Sequence, residues 1–288
     1  MSWIITGKEA NPPLLDAYPG AAAAYSLRQL QSGSYPVVRV RRDNDDAEQD
    51  FTATEVSDGT LAAWVGAGNN GLVRTWYDQS GNTRHMEQAT STSQPQIVVS
   101  GTLVTENGKP ALSTTSITTM AITSALLLGQ HSVFTAVSTA QDITSTMPYQ
   151  RLWTGDVSTF DGFIFGGSPT STLTNERLAW LTIESSTYVR GVGQTANDYT
   201  AGDYLISAFW NNSNPVVFVN NSSQLLNATT RGNFTSTYYP RTFQRLWATS
   251  SATLGFAGKQ FEFIVYPSDQ STNRAAIEAN INAHYNIF

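Results

Sequence analysis

Six short segments constrain the architecture most. SVFTAVST (132–139), GFIFGG (162–167), RLAWLTIES (177–185), YLISAFW (204–210), PVVFVN (215–220) and QFEFIVYP (260–267) are rich in β-branched and aromatic residues. Such side chains lose rotamer freedom in a helix and pack well on a pleated surface, so the segments read as strands. Asn107-Gly108, between TLVTE and KPALS, places two residues that tolerate positive φ at a hairpin turn. NNSNP (211–215) separates two strands in the same way. Short strands at this spacing predict an all-β fold, an antiparallel β-sandwich or jelly roll.

Helices are few. PGAAAAYSLRQL (19–30) predicts one early helix, with Pro19 near its start and Gly33 beyond its end. TLAAWV (60–65), closed by Gly66, predicts a short second one. In the segment 268–288, Ile277, Ile281 and Tyr285 recur every four residues and form one apolar stripe. Ser268 can cap that helix, Asp269 sits in its first turn, and the stripe is expected to pack on the sandwich. The repeated Gln-Arg-Leu-Trp of YQRLW (149–153) and FQRLW (243–247) suggests equivalent strands on two sheets.

Composition narrows the function. The 288 residues are 40% hydrophobic and only 13% charged, against roughly 25% charged in ordinary soluble proteins. The surface is therefore polar but nearly neutral, and the net charge of -6 argues against nucleic acid as a partner. The absence of cysteine excludes disulfides and thiolate metal sites. No run of about 18 apolar residues predicts membrane insertion. The start, MSWIITGKEANPP, lacks the basic and apolar regions of a secretory signal, so the sequons at Asn211, Asn220, Asn227 and Asn233 read as turns.

Candidate chemistry clusters in a few places. TWYDQSGN (75–82) puts two aromatics beside a carboxylate and amides. Trp76 or Asp78 there could contact a sugar, although Asp78 and Gly81 also fit the first and last positions of a type I turn. On a strand, Trp76 and Tyr77 face opposite sides. Further aromatics suited to sugar faces are Trp180, Tyr188, Trp210, Tyr238 and Tyr239. Asp43, Asp45, Asp46 and Glu48, in the run DNDDAEQD (43–50), offer hard oxygen ligands to Ca²⁺, but the run lacks EF-hand spacing and follows RVRR, which can pair with it. No other cofactor is indicated. His85, His131 and His284 show no ligand spacing. Carboxylates in apolar frames or loops are Glu176, Glu184, Glu262, Asp156 and Asp161.

LLDAYPGAAAAYSLRQL, VVRVRRDNDDAEQDF, LVRTWYDQSGN, QPQIV and NGKPAL occur in that order over residues 14–112. This series resembles the N-terminal part of the α-L-arabinofuranosidase B catalytic-domain family, and most closely its phage and environmental virion-type members. YLISAFWNNSNPVVFVNNSSQ is similar to the strand, turn and strand of laminin-G and lectin-like domains, with Asn221 where their pattern has Gly. The resemblance implies a concanavalin-like jelly roll. It also implies a retaining hydrolase, which needs two carboxyl groups about 5–5.5 Å apart. The enzyme's sugar pocket rests partly on adjacent cysteines, which this chain lacks, and no catalytic pair falls on a matching motif. The expectation is therefore that fold transfers and activity does not, leaving no catalytic residues.

The resulting reading is a non-enzymatic virion protein of a tailed phage, a capsid decoration, head-fibre or tail-fibre component assembled in the host cytoplasm. Its expected partners are other virion proteins and further copies of itself. A carbohydrate-binding module for host surface glycan is one alternative and a glycoside hydrolase another. Residues 1–13 read as an arm ahead of a domain at 14–288, because Pro12-Pro13 ends any strand begun at Trp3. Trp3, Ile4 and Ile5 would then bind a neighbouring protein.

Overall fold

The computed structural model describes residues 12–144, 150–155, 162–165, 178–185, 188–194, 198–210, 215–224, 227–228, 242–247 and 255–288, with backbone alone at 164–165, 180–185, 188–194, 227–228 and 242. Two antiparallel sheets face each other. In the first, Ala23–Ser26 pairs with Gly258–Tyr266, which pairs with His131–Thr139, and this with Gly202–Trp210, Val216–Val219 and Ser222–Gln224 in turn. The second runs from Glu48–Thr52 through Pro36–Arg42, Gly71–Trp76, Met86–Glu87, Met120–Leu127, Thr242–Leu246, Gln150–Thr154 and Gly162–Phe165 to Leu178–Ser185 and Tyr188–Gln194. One edge is continuous, because Gln96–Val99 pairs with Gly71–Trp76 and, through Leu112–Thr114, with Gly258–Tyr266. The expected β-sandwich is thus the observed fold.

Alternation along these strands fills the space between the sheets. Val133, Val137, Ile206, Phe263 and Val265 from the first sheet meet Val38, Val40, Val73, Trp76 and Leu246 from the second in one buried cluster. A second cluster lies on the outer face of the first sheet. There Ile277, Ile281 and Tyr285 of the helix Arg274–Tyr285 bury themselves against Phe134, Leu205, Phe209 and Ile264. The expected stripe is present. The helix nevertheless begins at Arg274 after Asn273, so Ser268 does not cap it, and Asp269 instead accepts the Ser271 amide at 2.8 Å.

A bulge connects the two clusters. Ala136 pairs with Glu262 and Val137 with Gln260, so Phe261 is one residue too many. The kink turns Phe261 and Glu262 both towards the helix, where Phe261 stacks on Tyr285 with ring centroids 5.3 Å apart.

The early helix is not formed. Within residues 19–30 the chain is extended at Ala23–Ser26 and pairs with Gly258–Tyr266, and residues 21–27 are all buried. Alanine favours a helix only where nothing better satisfies the backbone. Here a strand ladder and a cluster of side chains described below do so. Helix Thr60–Val65 is as expected, closed by Gly66 at φ 83. Asn107 and Gly108 (φ 49 and 72) make the expected hairpin, and Asn220 and Asn221 (φ 47 and 63) make another where the lectin-like pattern has Gly. The two Gln-Arg-Leu-Trp copies lie not on two sheets but side by side in one, with Trp153 opposite Leu246.

Candidate functional site

The 75–82 stretch is a clamp, not a sugar platform. Trp76 is fully buried, stacked on Trp247 at 6.2 Å and tilted against Tyr25 at 5.8 Å, so no ligand reaches its face. Tyr77 points the other way, as strand alternation requires, and donates its hydroxyl to Asp50 at 2.8 Å. Asp78 is 8% exposed. Its Oδ1 accepts the amides of Ala24 and Ser80, both at 2.9 Å, and its Oδ2 accepts the Ser80 hydroxyl at 2.9 Å and the Arg84 amide at 3.0 Å. That occupies the carboxylate with turn-fixing and leaves it no ligand-facing oxygen. Gln79 extends the clamp: its Nε2 donates to the carbonyls of Ser26 and Arg28, and its Oε1 accepts the Leu30 amide at 2.8 Å. Asn82 and Arg84 donate to the carbonyl of Ala22. These contacts hold residues 21–30 extended.

Trp210 is corrected in the same way. It is 1% exposed, inside the core and opposite His131. Trp180 lies on the Leu178–Ser185 strand, but its side chain, like that of Tyr188, is outside the described residues, as are Tyr238, Tyr239 and the arm residues Trp3, Ile4 and Ile5.

The acidic run does not assemble a calcium site. Asp43 accepts the backbone and side-chain amides of Asn70, at 2.9 and 2.7 Å, and these bonds hold its carboxyl below the usual range. Asp45 pairs with Arg42 at 2.6 Å and Asp46 with Arg41, while Glu48 lies between Arg39 and Arg74. Calcium needs six to eight oxygens converging on one point, whereas these carboxylates each turn to a separate amide or guanidinium. Among the described residues no three His, Cys, Asp or Glu converge. The histidines are structural: His85 Nδ1 accepts the Asp78 amide at 3.1 Å, and burial pushes His131 and His284 each down to about 4, with Arg28 adding to the effect at His284.

One titratable cluster went unanticipated. Glu262, fully buried, takes two bonds from Arg28, Nε to Oε2 at 2.7 Å and Nη2 to Oε1 at 2.9 Å. The hydroxyls of Ser26 (2.9 Å) and Tyr285 (3.3 Å) donate to Oε2, and Arg28 also donates to Asn280 Oδ1 at 2.9 Å. Burial and the Glu262 charge push the Tyr285 phenol well above its ordinary value. The group ties the first strand, the bulged strand and the C-terminal helix together. Only tertiary structure brings residues 28 and 262 into contact, so nothing in the local sequence announces the pair. Glu262 is thereby removed from the candidate catalytic carboxylates.

Asp50 binds Arg39 and Tyr77, Glu55 closes a capping box with Thr52, Asp58 accepts the Thr60 amide, and Glu87 pairs with Arg74. Glu106 pairs with Lys259, Asp142 accepts the Ala201 amide, Asp203 binds Asn107, and Glu278 pairs with Arg274. Asp16 binds Ser32, and Asp198 is also engaged. Apart from Asp198, each of these carboxylates has an oxygen bound to a backbone amide, a polar side chain or a basic side chain, although one oxygen each of Asp203 and Glu278 is buried without a hydrogen-bond partner among the described residues. Asp156, Asp161, Glu176 and Glu184 are the candidates whose side chains lie outside the described residues.

No protein-family model and no curated protein matches the sequence. Solved structures do match. An arabinofuranosidase complexed with arabinofuranosyl-α-1,2-xylobiose covers 94% of this chain with a TM-score of 0.62 at 16% identity. A GH54 α-L-arabinofuranosidase soaked with a cyclic sulfate inhibitor covers the same share with a TM-score of 0.57, also at 16% identity. The chain spans 64% of the length of each. At this identity the likeness is one of fold, and it corrects the expectation of a non-enzymatic chain: the architecture matched over nearly all of its length is that of glycoside hydrolases, so a purely structural role no longer follows from the sandwich.

Proposed function

We propose that this chain is a carbohydrate-active sandwich, a glycoside hydrolase acting on arabinofuranosyl-type glycan. The observation that carries the reading is the match of 94% of the chain to an arabinofuranosidase holding an arabinofuranosyl-xylobiose. A retaining mechanism needs one carboxylate as nucleophile and one as acid/base. With Asp78, Glu262 and the acidic run committed elsewhere, Asp156, Asp161, Glu176 and Glu184 remain of the carboxylates singled out in the sequence, and the pair is proposed among them. The test is turnover of an aryl α-L-arabinofuranoside by the wild type and by Asp156→Asn, Asp161→Asn, Glu176→Gln and Glu184→Gln. Two of the four variants should lose turnover by several orders of magnitude at unchanged melting temperature. No turnover by the wild type would end the hydrolase reading.

The phage and environmental resemblance of the sequence supports a finer proposal, that this activity works on a virion against host surface glycan. In that setting Trp3, Ile4 and Ile5 would attach the protein to another virion protein or to a second copy. Deleting residues 2–11 should leave folding intact and abolish incorporation into particles; normal incorporation would dismiss the tether.

A further inference from the structure

The outer face of the second sheet carries a row of four side chains, Arg41, Leu72, Gln96 and Ser113, of which only Arg41 is taken up by an ion pair. Arg41 lies opposite Leu72, Leu72 opposite Gln96, and Gln96 opposite Ser113. Four neighbouring antiparallel strands thus set these side chains in line. All four point outward, because the adjacent Val40, Val73, Ile97 and Leu112 are fully buried in the core.

The row is walled on both sides. The turn Ser91–Ser93 with Gln94 forms one wall and residues 115–118 the other, enclosing a cavity of about 320 Å³, near the lower end of ligand-site sizes. The walls are fixed. Arg41 Nε donates to Gln94 Oε1 at 3.2 Å, and Gln94 Nε2 donates to the Gln88 carbonyl at 2.7 Å. The Thr115 amide donates to Thr118 Oγ1 at 3.0 Å, and the Thr119 amide to the Ser93 carbonyl at 3.1 Å, which joins the walls. In contrast, the Gln96 amide and the Ser113 hydroxyl at the floor make no hydrogen bond to any described residue. Leu72 and Ile117, the latter 45% exposed, add apolar surface.

The chemistry of this lining selects a ligand class. An amide and a hydroxyl each donate and accept, which matches the adjacent hydroxyls of a sugar, and the two aliphatic side chains suit its C–H face. Arg41 is the one charged residue of the lining, and its charge is met by the ion pair with Asp46. We propose that this groove binds an uncharged oligosaccharide, through Gln96 and Ser113. It rests on the carbohydrate reading above and adds a second point of contact.

Affinity electrophoresis of the full chain in gels containing arabinoxylan, glucomannan or polygalacturonate tests this. At least one of the two neutral polymers should retard the wild type. Gln96→Leu with Ser113→Ala should weaken that retardation roughly tenfold to a hundredfold, the worth of two hydrogen bonds, at unchanged melting temperature. Gln96→Glu alone, which places a charge on the floor, should weaken it as well. Retardation by neither neutral polymer, by polygalacturonate alone, or equally in wild type and double variant would overturn the proposal. Turnover of the aryl arabinofuranoside is read separately. Retardation without turnover removes the hydrolase alone, and turnover without retardation removes the groove alone.

Discussion

Replacing Glu262 by Ala removes the acceptor of four hydrogen bonds at once, two from Arg28 and one each from Ser26 and Tyr285. The carboxylate is fully buried and the Arg28 side chain is 14% exposed, so water reaches the stranded guanidinium poorly. Breaking a buried pair from one side costs about 3–5 kcal/mol, because the remaining charge stays desolvated. Asn280 keeps one bond to Arg28 and softens the loss. Glu262→Gln retains the shape and some acceptors but not the charge, and should cost roughly 1.5–3 kcal/mol. Arg28→Met with Glu262→Leu removes both charges, and the double variant should be more stable than Glu262→Ala, since a buried pair replaced by apolar residues is often nearly neutral. Urea unfolding followed by tryptophan fluorescence measures all three, with midpoints compared at constant slope. The reasoning fails if Glu262→Ala lies within about 1 kcal/mol of wild type, or if the double variant is the least stable of the set.

Three further outcomes follow from the same geometry. Asp78→Ala should cost about 2–3 kcal/mol, chiefly by orphaning the buried Ala24 amide, and amide exchange at Ala24 should accelerate; an unchanged midpoint would show that water replaces the carboxylate. Burial pushes His131 down to about 4 in the folded chain against 6.5 when free, so the unfolded chain takes the proton first: its contribution to stability is full above pH 6.5 and falls by about 3 kcal/mol as pH drops to 4, with His284 adding a fall of the same sign. His131→Gln should flatten that dependence, and equal slopes in the two proteins would refute the assignment. Deleting Phe261 should cost about the same as Phe261→Ala, roughly 3–5 kcal/mol, because the bulge residue can leave without moving Gln260 or Glu262 from their partners; a deletion that fails to fold would show the bulge is required.

Legibility followed the range of the interactions. The strands and the Asn107-Gly108 hairpin could be read because their signal is local, in alternation and in residues that tolerate positive φ. The Ile277, Ile281 and Tyr285 stripe could be read for the same reason. The early helix misled because PGAAAAYSLRQL is judged on propensity alone, while its backbone is claimed by Asp78, Gln79, Asn82 and Arg84, more than 45 residues away. Trp76 and Trp210 looked like sugar platforms because composition does not say which face of a strand is covered. The floor of the groove was illegible in a stronger sense. Arg41, Leu72, Gln96 and Ser113 share no motif, and only the register of four strands aligns them.

A low charge content changes what each carboxylate can mean. In a chain with 13% charged residues, acidic groups are not spent on solubility alone. They recur where the backbone must be held against its preference: Asp78 under an extended alanine run, Glu55 in a capping box, Asp58 before a short helix, Glu262 beneath a docked one. A carboxylate with several donors already aimed at it is poorly suited to attack a sugar or pass a proton, because those donors stabilise its charge and occupy its lone pairs. Catalysis asks for the opposite, a carboxylate whose free oxygen faces a ligand. The two uses therefore compete for the same few residues. In this sandwich the structural use has claimed Asp78, in the turn that looked most like a site, and Glu262, in the strand beneath the docked helix.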